Sequence, residues 1–394
     1  MEEMRNLTAP RWRTYELSNV PGVESVAYGV VQPGRHDPVG VPMVRAGDIG
    51  EGAVVGRDLA RIATAVDRRH ARTSLQPEDL LVVLVGRIGD TAVTGPAHQG
   101  WNVARSVAVI RFTPEGLASG IGAWIRWSLK TPQARQVLRR LSGGAEHSTL
   151  PLADLKRLPV SLPPRELRAR LLRTMSLAEQ RMALNDQIAG CATELADMYF
   201  ARYAQNNDHA YRPEVTIADV GQVVGGSPRS GAVDGAAPIA WAAPREVLNS
   251  RTAHLDRTAE MTWVPGDAVC GPGTLLVAPR PGEVRTVIST ISVVPGRGTL
   301  AVRTETTADR LWLLHELRAR SRELVATAQG EQARAMSRKK FSRRRLRWPD
   351  GDVRERFSRI AAPLHDRAHA ALKENHALRE LVVSEMAERP NEER

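Results

Sequence analysis

Two histidines one helical turn apart, His365 and His369, are the first residues in this chain whose spacing could do chemistry, because such a pair can bind a metal ion. No neighbouring carboxylate or cysteine completes an obvious ligand set, so they read as exposed or seam-flanking histidines, and no metal is expected. Gly86-Arg87-Ile88-Gly89 is too short for the Gly-x-Gly-x-x-Gly nucleotide loop and reads as a structural turn. Gly226-Ser227-Pro228-Arg229-Ser230-Gly231 lacks the Lys-Ser/Thr of a phosphate loop, which leaves a surface loop where Arg229 can touch phosphate. Pro349-Asp350 with Glu355 lacks the Glu-x-Lys that would complete a nuclease. Neither Asn-Pro-Pro-aromatic nor Pro-Cys, the signatures of methyl transfer to DNA bases, occurs. These readings predict a chain without intrinsic catalysis and without a cofactor.

The chemistry left over belongs to arginine. Lys and Arg number 55 against 44 Asp and Glu, a net charge of +11 over 394 residues. Residues 101–150 hold 7 basic and 2 acidic side chains, and residues 301–350 hold 13 and 6, so the whole excess sits in two windows about 200 residues apart. The densest run is Arg334, Arg338, Lys339, Lys340, Arg343, Arg344, Arg345 and Arg347. Clustered guanidinium groups suit phosphate neutralisation, so the expected partner is nucleic acid. Arginines and side-chain amides also read base edges. The candidates for DNA contact are Gln32, Arg35, Arg45, Arg87, Asn102 and Arg105 in the first half. In the second they are Arg229, Lys339, Lys340, Arg343 and Arg344.

Composition narrows the setting. Hydrophobic residues make up 42%, enough to bury real cores. The two cysteines, Cys191 and Cys270, cannot build a disulfide framework or a Cys-rich zinc site, which fits a reduced cytoplasm. No stretch approaches the roughly 20 apolar residues of a membrane span, and no apolar signal core follows Met1. A cytoplasmic protein with no membrane partner is expected.

The separation of the basic windows points to an internal duplication. Leu75 to Val82 and Trp263 to Cys270 share a turn-then-strand pattern 188 residues apart. Gly144 and Gly330 precede similar segments ending Asp154-Leu155-Lys156 and Lys340-Phe341-Ser342, an offset of 186. Each copy then meets proline (Pro163-Pro164; Pro349) and a long helical pattern. The expected fold is α+β. Two tandem mixed α/β domains, 1–163 and 206–348, are each followed by a long helix, 164–205 and 349–394, and the helices pair as an antiparallel coiled coil. Strands are predicted at Val41–Val44, Leu80–Val85, Val107–Phe112 and Val284–Val294, and shorter helices over Gly122–Leu141 and Asp309–Gln329.

In the first long helix the apolar set is Leu167, Leu171, Met175, Ala178, Met182, Ile188, Ala192, Leu195 and Tyr199, interrupted by Asn185. Nine steps across those 32 residues average about 3.56, close to the coiled-coil period. In the second, Val353, Phe357, Ile360, Leu364, Ala368, Ala371, Leu378 and Val382 are interrupted by Asn375. One central asparagine per seam is a device that fixes register. From Leu167 to Tyr199 the rise is about 50 Å, more than one turn of DNA at about 34 Å, so the pair could act as a ruler.

The ordered motifs resemble those of the specificity subunits of type I restriction-modification systems. Tyr28-Gly29-Val30-Val31-Gln32-Pro33-Gly34 through Asp37-Pro38, then Val41-Pro42-Met43-Val44-Arg45-Ala46-Gly47-Asp48-Ile49, resembles the opening of their target-recognition domains. Asp79-Leu80-Leu81-Val82 with Gly86-Arg87-Ile88-Gly89 resembles the central strand and glycine turn. Ser148-Thr149-Leu150 through Leu155-Lys156, Leu158-Pro159-Val160 and Leu162-Pro163-Pro164 resembles the closing segment, and Asn185 sits in a helix similar to the family's helical region. The resemblance covers residues 1–205 closely and the rest loosely. It implies a non-catalytic phage-defence subunit whose two domains read a bipartite DNA site. It also implies that the helices dock two methyltransferase subunits, with a restriction nuclease subunit as a further partner. In the second half the glycine turn becomes Gly271-Pro272-Gly273-Thr274 and the Ser-Thr turn becomes Met336-Ser337, which implies a different mode of base reading there. The alternatives are a DNA-targeting subunit of another phage-defence system, a nuclease that uses the first domain for targeting, and a self-contained DNA-binding regulator.

Overall fold

The computed structural model describes residues 12–387 except 51, 57, 144–148, 207–214, 232–236, 251, 264–267, 281–282 and 326–336. Gly144, Ser148, Pro265 to Asp267, Gly330, Arg334 and Met336 therefore lie outside the described residues. The chain divides into two units, one of Met1–Ala178 with Glu380–Arg394, the other of Glu179–Arg379.

In the first unit the continuous apolar run Leu80–Val83 is a fully buried strand. It is the third of four in the order Val23–Tyr28, Val107–Phe112, Leu80–Val83 and Thr91–Val93, all antiparallel. A smaller sheet places Val41–Val44 between Ala60–Ile62, antiparallel, and Asn102–Val103, parallel. Leu81, Val83, Val103 and Val107, all inaccessible to solvent, pack together with Ile49 as the core. The helix predicted over Gly122–Leu141 is two helices, Ile121–Lys130 and Pro132–Leu141. Pro132 forces Thr131 into extended geometry (ψ 147°), and the Thr131 hydroxyl caps the new helix by accepting from Ala134 N at 3.2 Å.

The second unit repeats this plan. Its larger sheet runs Gln222–Gly225, Leu300–Arg303, Leu275–Arg280, Glu283–Ser289 and His254–Leu255. Its smaller one places Ile239–Ala242 between Met261–Thr262, antiparallel, and Val293–Pro295, parallel. The strand predicted over Val284–Val294 is thus two strands in different sheets. The helix predicted over Asp309–Gln329 is Thr307–Ala319 followed by Ser321–Val325, with residues 326–329 outside the described set. The copies agree in detail. Trp124 Nε1 donates to Ser161 O at 2.8 Å, two residues before Pro163, and Trp312 Nε1 donates to Arg347 O at 2.9 Å, two residues before Pro349.

The long helices are Arg165–Asn206 and Gly351–Ala387. Within the second unit they run antiparallel, since Arg181 meets Glu374 at 2.7 Å while Phe200 stacks edge-on with Phe357, centroids 5.6 Å apart. Beyond Asn185 the seam keeps Ala192 as predicted and otherwise moves by one residue from the predicted set. Ala189, Ala192, Ala196 and Phe200 are buried, whereas Leu195 is 41% exposed and Ile188 and Tyr199 are only partly covered. Facing them, Ala361, Ala368 and Ala371 have no exposure. Small residues let the backbones approach, so alanine outcompetes leucine for the seam. The buried positions from Leu171 to Phe200 then recur about every 3.6 residues, the period of an unsupercoiled helix.

Asn185 and Asn375 meet at the middle of this seam, both inaccessible to solvent. Asn185 Nδ2 donates to Asn375 Oδ1 and to Glu374 Oε2, each at 3.0 Å. Asn375 Nδ2 donates to Asp186 Oδ1 at 2.8 Å and to Met182 O at 3.2 Å.

Candidate nucleic-acid interface

Backbone pairing gathers the first unit's loops at one edge. Val30 N donates to Val103 O at 2.7 Å, Arg105 N returns to Val30 O at 2.9 Å, and Ala104 N reaches Val44 O at 2.9 Å. Leu84 N donates to Ser106 O at 2.8 Å, which adds the turn after Leu80–Val83. The segments carrying Gln32, Arg45, Arg87 and Arg105 therefore leave the sheets side by side. Gly29 permits the crossing, because a Cβ there would lie 1.8 Å from Val103 O.

Gln32, Arg35 and Arg105 are exposed. Arg45 is exposed yet oriented. Its Nε and Nη2 donate to the two oxygens of buried Asp48 at 3.1 and 3.3 Å, and that bonding raises its pKa further. Arg87 crosses the same turn, donating to Ile49 O and to Ala46 O, and pairs with Asp90 at 3.6 Å. Among donors to base edges, oriented guanidinium groups are the ones suited to bidentate contact with guanine.

Asn102 is the exception. It has no exposure, its Nδ2 donates to Asp67 Oδ1 at 2.8 Å, and its Oδ1 accepts from Thr73 Oγ1 and Val103 N at 2.9 Å. Every strong bond it can make is internal, so it is a core residue holding the loop at 67–73 to the sheet and cannot reach a base.

The second unit has the matching edge. Ser227 N donates to Pro295 O at 2.9 Å, Gly296 N to Ala242 O at 2.8 Å, and a Cβ on Gly226 would lie 1.9 Å from Gly296 O. Arg229 thus stands where Gln32 does, three residues past the crossing glycine, and Arg297 stands where Arg105 does. Arg297 is exposed. Sequence reading passed over it, and only the paired crossings reveal it. Lys339 and Lys340 are exposed on the short helix Arg338–Ser342, and Arg343 follows it, also exposed. Arg344 is half-buried, 3.9 Å from Glu323. This helix buries Phe341, and Arg338 Cδ would lie 3.7 Å from a Cβ on Gly225, so it flanks the strand leading into Arg229.

A second polar cluster escaped sequence reading. Asp197 Oδ1 lies 2.6 Å from His315 Nδ1, His315 Nε2 lies 3.0 Å from His365 Nε2, and His365 Nδ1 lies 3.1 Å from His254 Nε2. His365 is buried, where an exposed or seam-flanking position was expected, and His369 is exposed. Among the described residues no group of three or more His, Cys, Asp or Glu is placed to hold a metal ion. Burial holds His254 down to about 4 and His365 down to about 2. Burial also lowers His315, against the pull of Asp197. Burial pushes the Asp197 carboxyl up, but hydrogen bonds from His315 and Arg318 hold it well below the usual carboxylate range. The carboxylate must accept, so His315 carries its proton on Nδ1. His365 and His254 then each donate from Nε2 down the chain. His254 Nδ1, at the far end, is buried without a hydrogen-bond partner.

No described helix is long and apolar enough to cross a membrane. No family model matches the chain. Over 189 residues it is 29% identical to the EcoBI type I restriction enzyme specificity subunit of Escherichia coli, a match covering 48% of this chain and 38% of that relative's length. Among solved structures, a type I restriction-modification S subunit from M. genitalium aligns over 99% of both chains with 12% identity and a TM-score of 0.46. The HsdS subunit from Thermoanaerobacter tengcongensis aligns over 96% of both with 15% identity and a TM-score of 0.38. By this sequence match the chain is similar to a specificity subunit of a type I restriction-modification system, the family its motifs resemble.

Proposed function

We propose that this chain is a non-catalytic specificity subunit that reads a bipartite site on duplex DNA and docks DNA methyltransferase subunits, through which a nuclease subunit joins. The observation that carries the reading is the repetition of one strand crossing, at Gly29 and at Gly226, each followed by exposed cationic or amide side chains. Domains of 1–163 and 206–348 supply the two half-site readers, and the antiparallel helices set the spacer between half-sites. Phosphates position such a protein and base edges specify the site.

Selection of duplexes from a randomised pool tests this. We expect a two-part consensus with a fixed gap, and affinity that falls steeply between low and moderate salt. A salt-independent affinity, or no enriched sequence, would defeat the reading. In the same assay Arg87→Ala is expected to cost about 1–3 kcal/mol of preference for the selected sequence. Equal weakening on every sequence would make Arg87 a phosphate contact instead.

Methyltransferase docking is supported by the outer face of the first long helix. Leu184, Cys191 and Met198 recur every seven residues and are exposed, with Leu195 beside them. Leu184→Asp with Met198→Asp should abolish co-purification with a methyltransferase subunit while leaving DNA binding and thermal stability within error of wild type. Retained co-purification would move the docking surface elsewhere.

A further inference from the structure

The second unit's DNA edge has an acidic residue at its centre. Glu260 forms an ion pair with Arg229 at 3.3 Å and a second with Arg245. Its backbone is fixed from both sides, because Glu260 O accepts from Trp241 N at 2.9 Å and from Thr258 Oγ1 at 2.8 Å. Trp241 in turn donates from Nε1 to Ser227 O at 3.3 Å, at the crossing that launches Arg229. Arg245 also lies 3.8 Å from Glu246, whose Oε1 accepts from Ala259 N at 3.4 Å.

A carboxylate among phosphate-seeking arginines lowers affinity for a polyanion, so its presence needs a different benefit. Charge-assisted bonds restrict guanidinium rotamers, and a guanidinium already oriented loses less entropy when it meets a base edge. The side chains of Arg229 and Arg245 remain more than half exposed, at 55% and 58%, while that of Glu260 is 23% exposed. The carboxylate is thus set back and the two forks are presented outward. Asp48 does the same for Arg45 in the first unit, from the end of the short helical turn Ala46–Asp48.

We infer that Glu260 is the positioning residue for the second half-site: it aligns Arg229 and Arg245 for base reading and holds them off indiscriminate phosphate contact. The inference rests on the DNA-reading function proposed above. Glu260→Gln, which keeps size and removes the charge, should tighten binding to non-specific duplex several-fold. It should also steepen the salt dependence by one or two phosphate contacts and relax base preference at the second half-site only. Glu260→Asp should restore much of that preference. A merely structural role would instead lower affinity for all sequences together with thermal stability. The inference is overturned if wild type selects a two-part site while Glu260→Gln shows the same preference and the same salt slope. If wild type selects no two-part site, the DNA-reading function itself fails, a separate result.

Discussion

Acidification from pH 7.5 to pH 5 should strongly destabilise the second unit, through the buried chain Asp197–His315–His365–His254. The folded protein keeps these imidazoles neutral, with His254 held to about 4 and His365 to about 2 against an ordinary 6.5. The unfolded chain takes up protons below 6.5 and the folded chain does not, so the unfolded state gains ground as pH falls. Each such histidine is worth about 1.4 kcal/mol per pH unit in that window, so these two together should remove roughly 4 kcal/mol by pH 5. The loss from His254 ends near pH 4, while that from His365 continues lower, where Asp197 adds its own. Burial is the first reason these rings stay neutral, and cationic Arg318, bonded to Asp197 at 2.6 Å, adds repulsion against a positive charge on either ring. Hydrogen-exchange protection of Leu311 to Leu317, measured across this range, reads the effect. Protection flat between pH 5 and 7.5 would show that the chain carries no buried neutral histidine.

The asparagine pair supplies the second large effect. Asn185→Leu leaves Asn375 Oδ1 without its donor, and Asn375→Leu takes an acceptor from Asn185 Nδ2 and the donor from Asp186 Oδ1. Each single change should cost about 1–3 kcal/mol, the penalty for stranding a buried polar group. The double Leu variant strands fewer groups and should recover much of the loss, giving a coupling of about 1 kcal/mol or more in a double-mutant cycle. Its cost would appear as lost register specificity, read by spin-label distances between the two helices. Additive losses in the cycle would mean that the two amides do not act as a pair. Asn185 Oδ1 already lacks a partner, so the wild-type seam carries an unmet bond in exchange for a unique alignment.

What was legible in the sequence was local or repeated. Leu80–Val83 and Val107–Phe112 announced themselves as apolar runs between turns, and duplicated turn-and-strand patterns told that one fold occurs twice. The order of elements, each long helix following its domain directly, predicted antiparallel pairing, and a central asparagine in each helical stripe marked the level at which the two helices would meet. Hydrophobic periodicity could not choose between Leu195 and Ala196 for the seam. It scores affinity for an apolar phase, whereas the seam selects residues small enough for two backbones to come close. Nor could residue type separate Asn102 from Arg105, three residues away, one sealed inside and one exposed. The histidine chain carried a sequence signal only at His365, whose one-turn spacing from His369 pointed to a metal ion and not to His315 or His254. Its members come from two long helices, a helix of the second unit and an edge strand, spread from Asp197 to His365. Only packing brings them within 3.1 Å, and only the burial that packing imposes makes them neutral.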